Sequence, residues 1–260
     1  MFILKLGGSV ITDKTKPLTF KEKIMDNLSK QIRNAEKKLI IIHGAGSFGH
    51  ILAKKYELNK GYKRYDQLKG FSLTHEKVQT LNSYVLKSLN KYDIPAVSIS
   101  PHSILKLNNH KIEKFDYQVF EEYLETQFIP VSFGDVVLDK KLGFSICSGD
   151  LLIKILAEHF KPEKVIFAID EDGLYTSNPK IDKKAELIKK AQISDLDKLT
   201  TTLDKHADVT GGMSGKINFI KEISGFGINT VLLNGNKPDR LYKVLVGEDT
   251  KSTIIQGDKK

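Results

Sequence analysis

Three glycine-rich turns, each preceded by an apolar segment, carry basic side chains that could hold phosphate groups. The cations are Lys5, His50 and Lys216, and the turns read Lys5-Leu6-Gly7-Gly8-Ser9, His43-Gly44-Ala45-Gly46-Ser47-Phe48-Gly49-His50 and Val209-Thr210-Gly211-Gly212-Met213-Ser214-Gly215-Lys216. An apolar run that stops at glycines predicts a buried strand turning into a helix, with bare backbone N–H groups at the turn. Several such turns with cations would bring two phosphorylated reactants together. Phosphoryl transfer between them is the leading hypothesis.

The first turn combines a strand lysine with a glycine pair. Gly7 and Gly8 let the backbone approach a ligand without Cβ collisions, and the Ser9 hydroxyl can donate a hydrogen bond. A tight strand-to-helix turn beside an ordinary exposed lysine would give the same local sequence. Position favours a role for Lys5 in phosphate binding, because ligands of open α/β sheets bind at the carboxyl ends of the strands.

The second turn is denser, with Gly44, Gly46 and Gly49 directly before His50. This Gly-x-Gly-x-x-Gly run also matches the dinucleotide-binding fingerprint, which needs an acidic residue about 20 positions later at the end of a second strand. Asp66 is expected in a charged loop instead, so the dinucleotide interpretation is disfavoured. His50 either begins a helix structurally or binds a phosphate oxygen, and its position beside three glycines favours phosphate.

Two aspartates lie at the ends of predicted elements, Asp150 at the start of a helix and Asp170 at the end of a strand. Asp150 opens a helix, and it either caps that helix or holds the lysines that stabilise a transferred group; the two roles are compatible. Asp170 ends an apolar run and precedes a turn-rich loop that contains Gly173, and turn chemistry alone accounts for this loop. In the third turn, Gly212 and Lys216 would make a positive helix start for the phosphates of a nucleotide.

The basic composition of the chain says little about its partners. The 260 residues include 41 Lys and Arg against 32 Asp and Glu, a net charge of +9. This balance fits anionic substrates or nucleic acid. Because the lysines are spread along the chain and no nucleic-acid-binding module is recognisable, solvated helix faces explain most of the excess, and no nucleic-acid partner is expected.

The single cysteine, Cys147, excludes an intramolecular disulfide and a cysteine metal cluster. No apolar run approaches the roughly 20 residues needed to cross a bilayer, and the first residues lack the pattern of a signal peptide. We therefore expect a cytoplasmic protein with no membrane partner. We assign no side chain to a metal ion.

Apolar runs alternate with amphipathic segments along the chain. Runs at 2–6, 39–43, 94–99, 128–133, 164–169 and 228–234 predict strands, and segments near 20–35, 74–91, 117–126, 150–160 and 214–223 predict helical crossovers. Strands joined by such crossovers form a parallel sheet covered by helices on both faces. The segment 136–145 predicts a β-hairpin at the edge of that sheet, and a lobe boundary is placed near Pro162.

The chain lacks the Walker sequence and the protein-kinase motifs, so a kinase of this sequence would belong to another lineage. Taken in order, its segments resemble the amino acid kinase superfamily and, within it, the archaeal-type isopentenyl phosphate kinases. Besides the turns above, the resemblance rests on Ile94-Pro95-Ala96-Val97-Ser98, Pro130-Val131-Ser132-Phe133-Gly134-Asp135, Ser148-Gly149-Asp150, Asp170-Glu171-Asp172-Gly173 and Asn234-Gly235-Asn236. The Gly-Ser-Phe-Gly-His run is the most discriminating segment.

The resemblance implies an open three-layer αβα sandwich with a mainly parallel central sheet, built as one continuous domain. Residues 1–162 would form a substrate-binding lobe with the catalytic loops, and residues 163–260 a nucleotide-binding lobe. The implied reaction moves the γ-phosphate of ATP, with Mg2+, onto isopentenyl phosphate in isoprenoid biosynthesis. The family also suggests a homodimer.

The resemblance also implies roles for individual residues. The residues matched to ATP binding are Lys5, Leu6, Gly7, Gly8, Ser9, Gly46, Asp170, Gly173, Gly212 and Lys216. Those matched to the acceptor phosphate are Ala45, Gly46, Gly49, His50 and Gly149, and the wall around the hydrocarbon tail would include Phe71, Thr74, Val131 and Ile146. Lys14 resembles a further phosphate-binding lysine, and Asp150 the carboxylate that organises Lys5 and Lys216.

Three positions depart from the family pattern. Ile169 and Glu171 replace the more usual Thr and Val around the nucleotide-side aspartate, and Leu151 follows Asp150 where a second Asp is usual. Two alternatives stay open: a sister kinase that acts on glutamate, uridylate or fosfomycin, and a ligand-binding protein on the same fold without catalysis. Retention of the two lysines, the histidine and the aspartate together speaks against the second alternative.

Overall fold

The computed structural model describes residues 1–179, 181–196 and 212–258. The strands are β1 (Phe2–Leu6), β2 (Leu39–His43), β3 (Ala96–Ser98), β4 (Leu105–Asn108), β5 (Lys111–Phe115), β6 (Ile129–Phe133), β7 (Asp135–Asp139), β8 (Gly143–Cys147), β9 (Lys164–Ile169), β10 (Lys190–Ala191), β11 (Asn229–Asn234) and β12 (Ser252–Ile255). The helices are α1 (Gly8–Ile11), α2 (Glu22–Ala35), α3 (Gly46–Lys55), α4 (Asp66–Lys91), α5 (Pro101–Ile104), α6 (Gln118–Glu125), α7 (Gly149–Phe160), α8 (Gly212–Gly225) and α9 (Arg240–Val246).

Eight strands of the described residues form one sheet in the order β10-β12-β11-β9-β1-β2-β6-β3. Neighbouring strands run parallel, except that β12 is antiparallel to β11. The six predicted strands all belong to this sheet, and β1 lies at its centre between β2 and β9. Because these strands are parallel, β1, β2, β6, β9 and β11 present their carboxyl ends at the same edge of the sheet.

The alternation of side chains along the strands divides the core into two layers. In β1, Leu4 and Leu6 pack in a cluster with α1, α2, α4 and α9, whereas Ile3 packs in the other cluster with α6, α7 and α8. Successive strand residues point to opposite faces, and burying each such side chain contributes roughly 1.5–3 kcal/mol. The predicted αβα sandwich with a mainly parallel central sheet is confirmed.

The predicted hairpin at 136–145 forms as β7 and β8, but its position at the edge of the main sheet was wrong. The two strands belong to a separate sheet in the order β5-β4-β7-β8. The second hairpin of that sheet, β4 and β5, was not predicted. The Asp139 carboxylate joins the two hairpin turns, since it accepts hydrogen bonds from the backbone N–H groups of Asn109 and His110, each at 2.8 Å, and of Leu142 at 3.0 Å.

Helix α4 begins earlier than predicted and docks through a polar stripe. Asp66 is its first residue rather than part of a loop, because Gln67 Oε1 accepts hydrogen bonds from the backbone N–H groups that precede it, at 2.7 and 3.1 Å. Further along, Gln79 and Asn82 donate side-chain hydrogen bonds to serine hydroxyls near β3, at 2.8 and 2.7 Å. No helix of the described residues has the length and apolarity required to cross a membrane.

Candidate active site

The first two glycine turns lie against each other at the carboxyl edge of the sheet. Leu6 at the end of β1 pairs in register with His43 at the end of β2, so both chains leave the sheet side by side. A Cβ built on Gly8 would stand 2.6 Å from the Gly46 nitrogen, and one on Gly44 would stand 2.8 Å from the Gly8 nitrogen. Contacts this short exclude any side chain. The sequence predicted both turns, and the structure brings them into direct contact.

Thr12 joins the two turns and was missed from the sequence. Its hydroxyl donates to the Gly8 carbonyl at 2.6 Å and accepts from the Ser47 N–H at 3.0 Å. The side chain is fully buried. Nothing local marks this threonine, because its second partner lies 35 residues away in the sequence.

Replacing Thr12 by valine is expected to lower the free energy of unfolding by about 1–3 kcal/mol, because the buried Ser47 N–H loses its partner while the volume is preserved. The two turns should also shift relative to each other, and a displacement of about 1 Å can cost on the order of 100-fold in rate. Urea unfolding and steady-state kinetics measure the two effects. Thr80→Val is the matched control, since the Thr80 hydroxyl donates to the Glu76 carbonyl on the exposed face of α4. Equal behaviour of the two variants would contradict the linking role of Thr12.

Two lysines and an aspartate meet beneath the turns. Lys5 Nζ is hydrogen-bonded to Asp150 Oδ1, and Lys216 Nζ lies 3.3 Å from the same oxygen. Both ammonium groups also lie over the Phe167 ring, at 5.8 and 5.4 Å from its centroid. The three residues come from β1, α7 and α8, which share one face of the sheet. Lys5 and Ile3 are two positions apart on β1, so the strand alternation places Lys5 on the face covered by α7 and α8.

Burial and charge set the protonation of this group. Burial lowers the pKa of the Lys5 ammonium, the nearby Lys216 cation lowers it further, and Asp150 opposes both effects. Burial alone would raise the pKa of the Asp150 carboxyl, but Lys5 and Lys216 outweigh it and hold that pKa below its usual range. Asp150 is therefore ionised, and it lies between the two lysine amino groups. A buried anion of this kind fixes lysine side chains in place.

Asp150 does not cap helix α7. The cap is Ser148, whose Oγ accepts a hydrogen bond from the Leu151 N–H at 3.1 Å. Ser148 fills the position that satisfies the first helical N–H groups, so the Asp150 carboxylate is free to turn toward the lysines. Gly149 allows this packing, since a Cβ there would lie 3.3 Å from the His43 carbonyl oxygen and 3.5 Å from Lys5 Cε.

His50 and Lys14 lie on the open side of the two turns. His50 is exposed to solvent on the first turns of α3. Partial loss of solvent around the ring and the nearby cations Lys14 and Lys5 lower the pKa of His50, with Asp150 opposing. His50 is therefore close enough to Lys5 and Asp150 for their charges to affect its pKa. His43 further supports the second turn, because its Nδ1 lies 3.2 Å from the Gly44 carbonyl oxygen. The ring is buried, and this burial lowers the pKa of His43 to about 4.

Asp170 connects the end of β9 to the first turn. The Ser9 hydroxyl donates to Asp170 Oδ1 at 2.9 Å, and Lys14 Nζ lies 3.9 Å from Oδ2. Lys14 is largely exposed, with 67% of its side chain accessible. Lys21, which was not predicted, donates to the Ser9 carbonyl at 2.9 Å. The predicted Ser9, Lys14 and Asp170 are therefore brought together beside Gly7 and Gly8.

The loop after Asp170 is held by an ion-pair network that was not predicted. Asp172 lies 2.5 Å from Arg240 Nη1 and 2.8 Å from Lys251 Nζ, and it accepts a hydrogen bond from Asn234 at 3.1 Å. Partial burial raises the pKa of Asp172, but these donors outweigh it and lower that pKa to about 2. Gly173 packs against β12, where a Cβ would meet Thr253 Oγ1 at 2.3 Å.

Residues 209–211 of the third turn lie outside the described residues, and Gly212 begins α8.

Two of the four residues predicted to line the tail pocket share one apolar cluster. Phe71 and Ile146 pack against the buried residues Ala53, Leu58, Val136 and Phe144, and the Phe71 and Phe144 ring centroids are 5.3 Å apart. Thr74 is buried one turn further along α4 and donates to the Gly70 carbonyl at 2.7 Å. A Cβ on Gly49 would lie 4.0 Å from the Thr74 methyl group and 2.6 Å from the Ala45 Cβ.

Val131, the fourth residue predicted to line the tail pocket, packs in a different core cluster from Phe71 and Ile146. It is fully buried in the core cluster between the main sheet and the layer of α2 and α4. The structure therefore does not bring Val131 together with Phe71 and Ile146. Its alternative interpretation in the sequence, ordinary core packing, agrees with this position.

Two glycine-rich turns in contact, beside a lysine–aspartate–lysine group, are the arrangement expected of a small-molecule kinase. Residues 1–234 match the model of the amino acid kinase family, and the chain belongs to that family. It is 39% identical to an isopentenyl phosphate kinase of Methanothermobacter thermautotrophicus over 99% of both chains, and 36% identical to one of Methanocaldococcus jannaschii over 95% of both. A solved structure of isopentenyl phosphate kinase superposes with a TM-score of 0.87 at 35% identity, covering 98% of this chain and 100% of that one.

Proposed function

We propose that the protein transfers the γ-phosphate of ATP to isopentenyl phosphate, which gives isopentenyl diphosphate and ADP. The observation that carries this proposal is the direct contact between the Gly8 and Gly46 turns. It provides adjacent backbone sites for two phosphates, above cations that are already in place. The whole-length similarity to isopentenyl phosphate kinases supports the same substrate pair.

The donor phosphates would lie against Gly7, Gly8 and Ser9, with Lys5 and Lys216 on the transferring group. Backbone N–H groups at such turns bind phosphate oxygens without bulky side chains. The two ammonium groups share the Asp150 carboxylate. Their positions are therefore fixed before the nucleotide arrives, so little reorganisation is needed when charge develops in the transition state.

The acceptor phosphate would lie at the start of α3, against Ala45, Gly46 and Gly49, with a hydrogen bond from His50. The Ser47 N–H of this helix donates to Thr12 Oγ1, and the Phe48 and Gly49 N–H groups donate to the Ala45 carbonyl at 3.2 Å. The helix start nevertheless carries the positive end of the helix dipole, which favours a bound anion. A phosphate acceptor is already ionised at neutral pH and needs no general base, so donors and cations suffice. Asp150 is therefore not needed as a general base, and its proposed role is to hold Lys5 and Lys216 in position.

Mg2+ would accompany the nucleotide. It is a hard ion that is usually held by one or two carboxylates together with substrate phosphates and water. Asp150 is engaged by two lysines, whereas Asp170, hydrogen-bonded to Ser9, is partly exposed beside the proposed donor phosphates. The Asp170 carboxylate therefore fits a contact with the ion, directly or through water. Bound there, Mg2+ would neutralise charge on the β- and γ-phosphates.

We further propose that residues 1–162 hold the acceptor and that residues 163–260 hold most of the nucleotide. The acceptor turn and the apolar cluster around Phe71 lie in the first segment, and the Asp172 network lies in the second. The two segments share the main sheet through the pairing of β1 with β9. The homodimer and the cytoplasmic location stay predictions; light scattering of the purified protein tests the dimer.

The decisive experiment follows ATP and isopentenyl phosphate by phosphorus NMR in the presence of Mg2+. New diphosphate resonances, together with ADP, are expected. A parallel panel offers glutamate, uridylate and fosfomycin as acceptors. Efficient phosphorylation of one of these with no isopentenyl diphosphate would assign the chain to a sister activity. Failure to consume ATP with every acceptor would support a ligand-binding protein without catalysis.

Replacing Phe71 by alanine is expected to shift preference toward longer prenyl phosphates. The change opens the cluster that Phe71 forms with Phe144 and Ile146, and each buried CH2 group contributes about 0.8 kcal/mol. We expect the kcat/KM ratio of the ten-carbon to the five-carbon acceptor to rise by roughly tenfold or more. Phe115→Ala, which removes a ring packed on Phe120 in the other core cluster, is the control. An unchanged ratio in a folded Phe71→Ala protein would remove Phe71 from the pocket wall.

A further inference from the structure

A second group of chemically active side chains lies outside the proposed kinase machinery. His75 on α4, His102 on α5 and Asp135 at the start of β7 each offer one ligand atom, and these atoms all lie within 4.8 Å of one another. His75 Nδ1 is 2.8 Å from Asp135 Oδ2, and His102 Nδ1 is 3.9 Å from the same oxygen. The proposed reaction uses none of the three.

Asp135 is a buried carboxylate whose neighbours are one backbone N–H and the two histidines. Its side chain has no exposed surface. Oδ1 accepts a hydrogen bond from the Val136 N–H at 2.8 Å, and Oδ2 faces the histidines. Burial raises the pKa of this carboxyl above its usual range, although His75 and the Val136 N–H oppose the shift. A cation beside Oδ2 would offset the cost of burying this charge.

A simple histidine–carboxylate hydrogen bond explains only part of this arrangement. It accounts for His75, but the 3.9 Å separation of His102 from Asp135 is too long for a hydrogen bond. The two imidazoles pack edge to face with centroids 4.3 Å apart. By comparison, His159 and Glu121 form an ordinary surface pair at 2.7 Å with two possible metal ligands. Among the described residues, His75, His102 and Asp135 are the group that offers three.

The neighbouring Ser103 hydroxyl is compatible with the His102 tautomer that a metal ligand needs. His102 Nε2 lies 3.2 Å from the Ser103 hydroxyl. If Nε2–H donates to that oxygen, the Nδ1 lone pair faces Asp135 and His75. Metal-bound histidines commonly donate their second ring N–H to a neighbouring acceptor in this way.

We propose that His75, His102 and Asp135 bind one divalent transition-metal ion of the zinc class, separate from the Mg2+ that accompanies ATP. Two imidazole nitrogens and one carboxylate oxygen, with water at a remaining position, form a common donor set for Zn2+ and Co2+. Such ligands lie about 2.0–2.2 Å from the ion. His75 and His102 are partly exposed, with 28% and 39% of their side chains accessible, so both rings can rotate toward an ion held by the fixed carboxylate.

The ion would tie α4 and α5 to the small sheet. Asp135 follows Gly134, which hydrogen-bonds to the His43 carbonyl at 3.1 Å, and His75 follows Thr74 on the helix that carries Phe71. An ion bound there would brace the helix that carries Phe71 of the proposed acceptor wall. Its existence does not depend on the identity of the acceptor, because the donor set alone defines it.

The test is a titration of the full-length, tag-free, metal-free protein with Co2+, followed by displacement with Zn2+. We expect one Co2+ per chain, with the strong visible absorption of a low-coordinate nitrogen and oxygen site, and a higher Tm in the presence of Zn2+. His75→Asn and His102→Asn should each weaken binding by at least about 10-fold to 100-fold, the loss that even outer partners of a metal can cause. His159→Asn, which disrupts a histidine–carboxylate pair without a third ligand, should bind as the unaltered chain does.

Two results would overturn the proposal. One is the absence of stoichiometric Co2+ or Zn2+ binding to the folded protein. The other is binding that His75→Asn and His102→Asn leave unchanged, which would place the ion elsewhere. His102 is half exposed, so its substitution is expected to leave the fold intact, and circular dichroism checks this. Asp135→Asn serves as a second variant, and loss of binding in a folded Asp135→Asn protein would support the same site.

Discussion

Replacing Lys5 by methionine is expected to lower kcat by roughly 100-fold to 1000-fold while changing the KM for ATP far less. The magnitude is that of removing one positioned donor to developing negative charge. Methionine keeps the aliphatic stem but loses the ammonium group that Asp150 fixes in place. An interaction that strengthens as charge develops appears in kcat rather than in ground-state binding. Initial rates at varied ATP, with saturating isopentenyl phosphate, measure the two constants separately.

Lys91→Met is the matched control for this variant. Lys91 Nζ also pairs with an aspartate, Asp26, at 2.5 Å, but on the surface between α4 and α2. Surface pairs of this kind contribute at most about 1 kcal/mol. This pair lies outside the candidate active site, so the kcat of Lys91→Met should be unchanged. A Lys5→Met enzyme with normal kcat and only a raised KM for ATP would reassign Lys5 to ground-state nucleotide binding. The unfolding midpoint must be measured alongside, because Lys5 is buried.

Replacing His50 by alanine is expected to cost a similar factor, on the order of 100-fold to 1000-fold in kcat, and glutamine should recover part of it. The proposed role of His50 is to donate one hydrogen bond to the acceptor phosphate. Loss of solvent around the ring and the nearby cations Lys14 and Lys5 lower the pKa of His50. The neutral ring still carries one N–H that can donate. Glutamine also offers an N–H donor, whereas alanine offers none.

The recovery by glutamine separates a donor role from a structural one. If His50 only shaped the start of α3, alanine and glutamine would behave alike, and both would alter Tm more than kcat. His159→Ala provides a surface comparison, since His159 lies in the last turn of α7 and pairs with Glu121. Activity of His50→Ala equal to that of the unaltered enzyme would show that the acceptor phosphate does not depend on this ring.

The amino-acid sequence by itself determined six strands of the main sheet and the two glycine-rich turns. Six apolar runs became strands of the main sheet, because alternation and length are local properties of a buried strand. The glycines at residues 7, 8, 44 and 46 marked the turns, because closely spaced glycines after an apolar run are typical of a strand that ends in a tight turn with an open backbone. The order of these motifs also identified the family, which the whole-length match confirms.

Only the tertiary structure decided which distant residues meet. Thr12 joins the two turns through Ser47, and His75 meets Asp135 across 60 positions of sequence. The small second sheet and the separation of Val131 from Phe71 have the same origin. Local patterns fix whether a residue lies on a helix or a strand and which face it occupies. Long-range partners depend on how the faces of the elements pack against one another, and no residue's near neighbours in the sequence encode that packing.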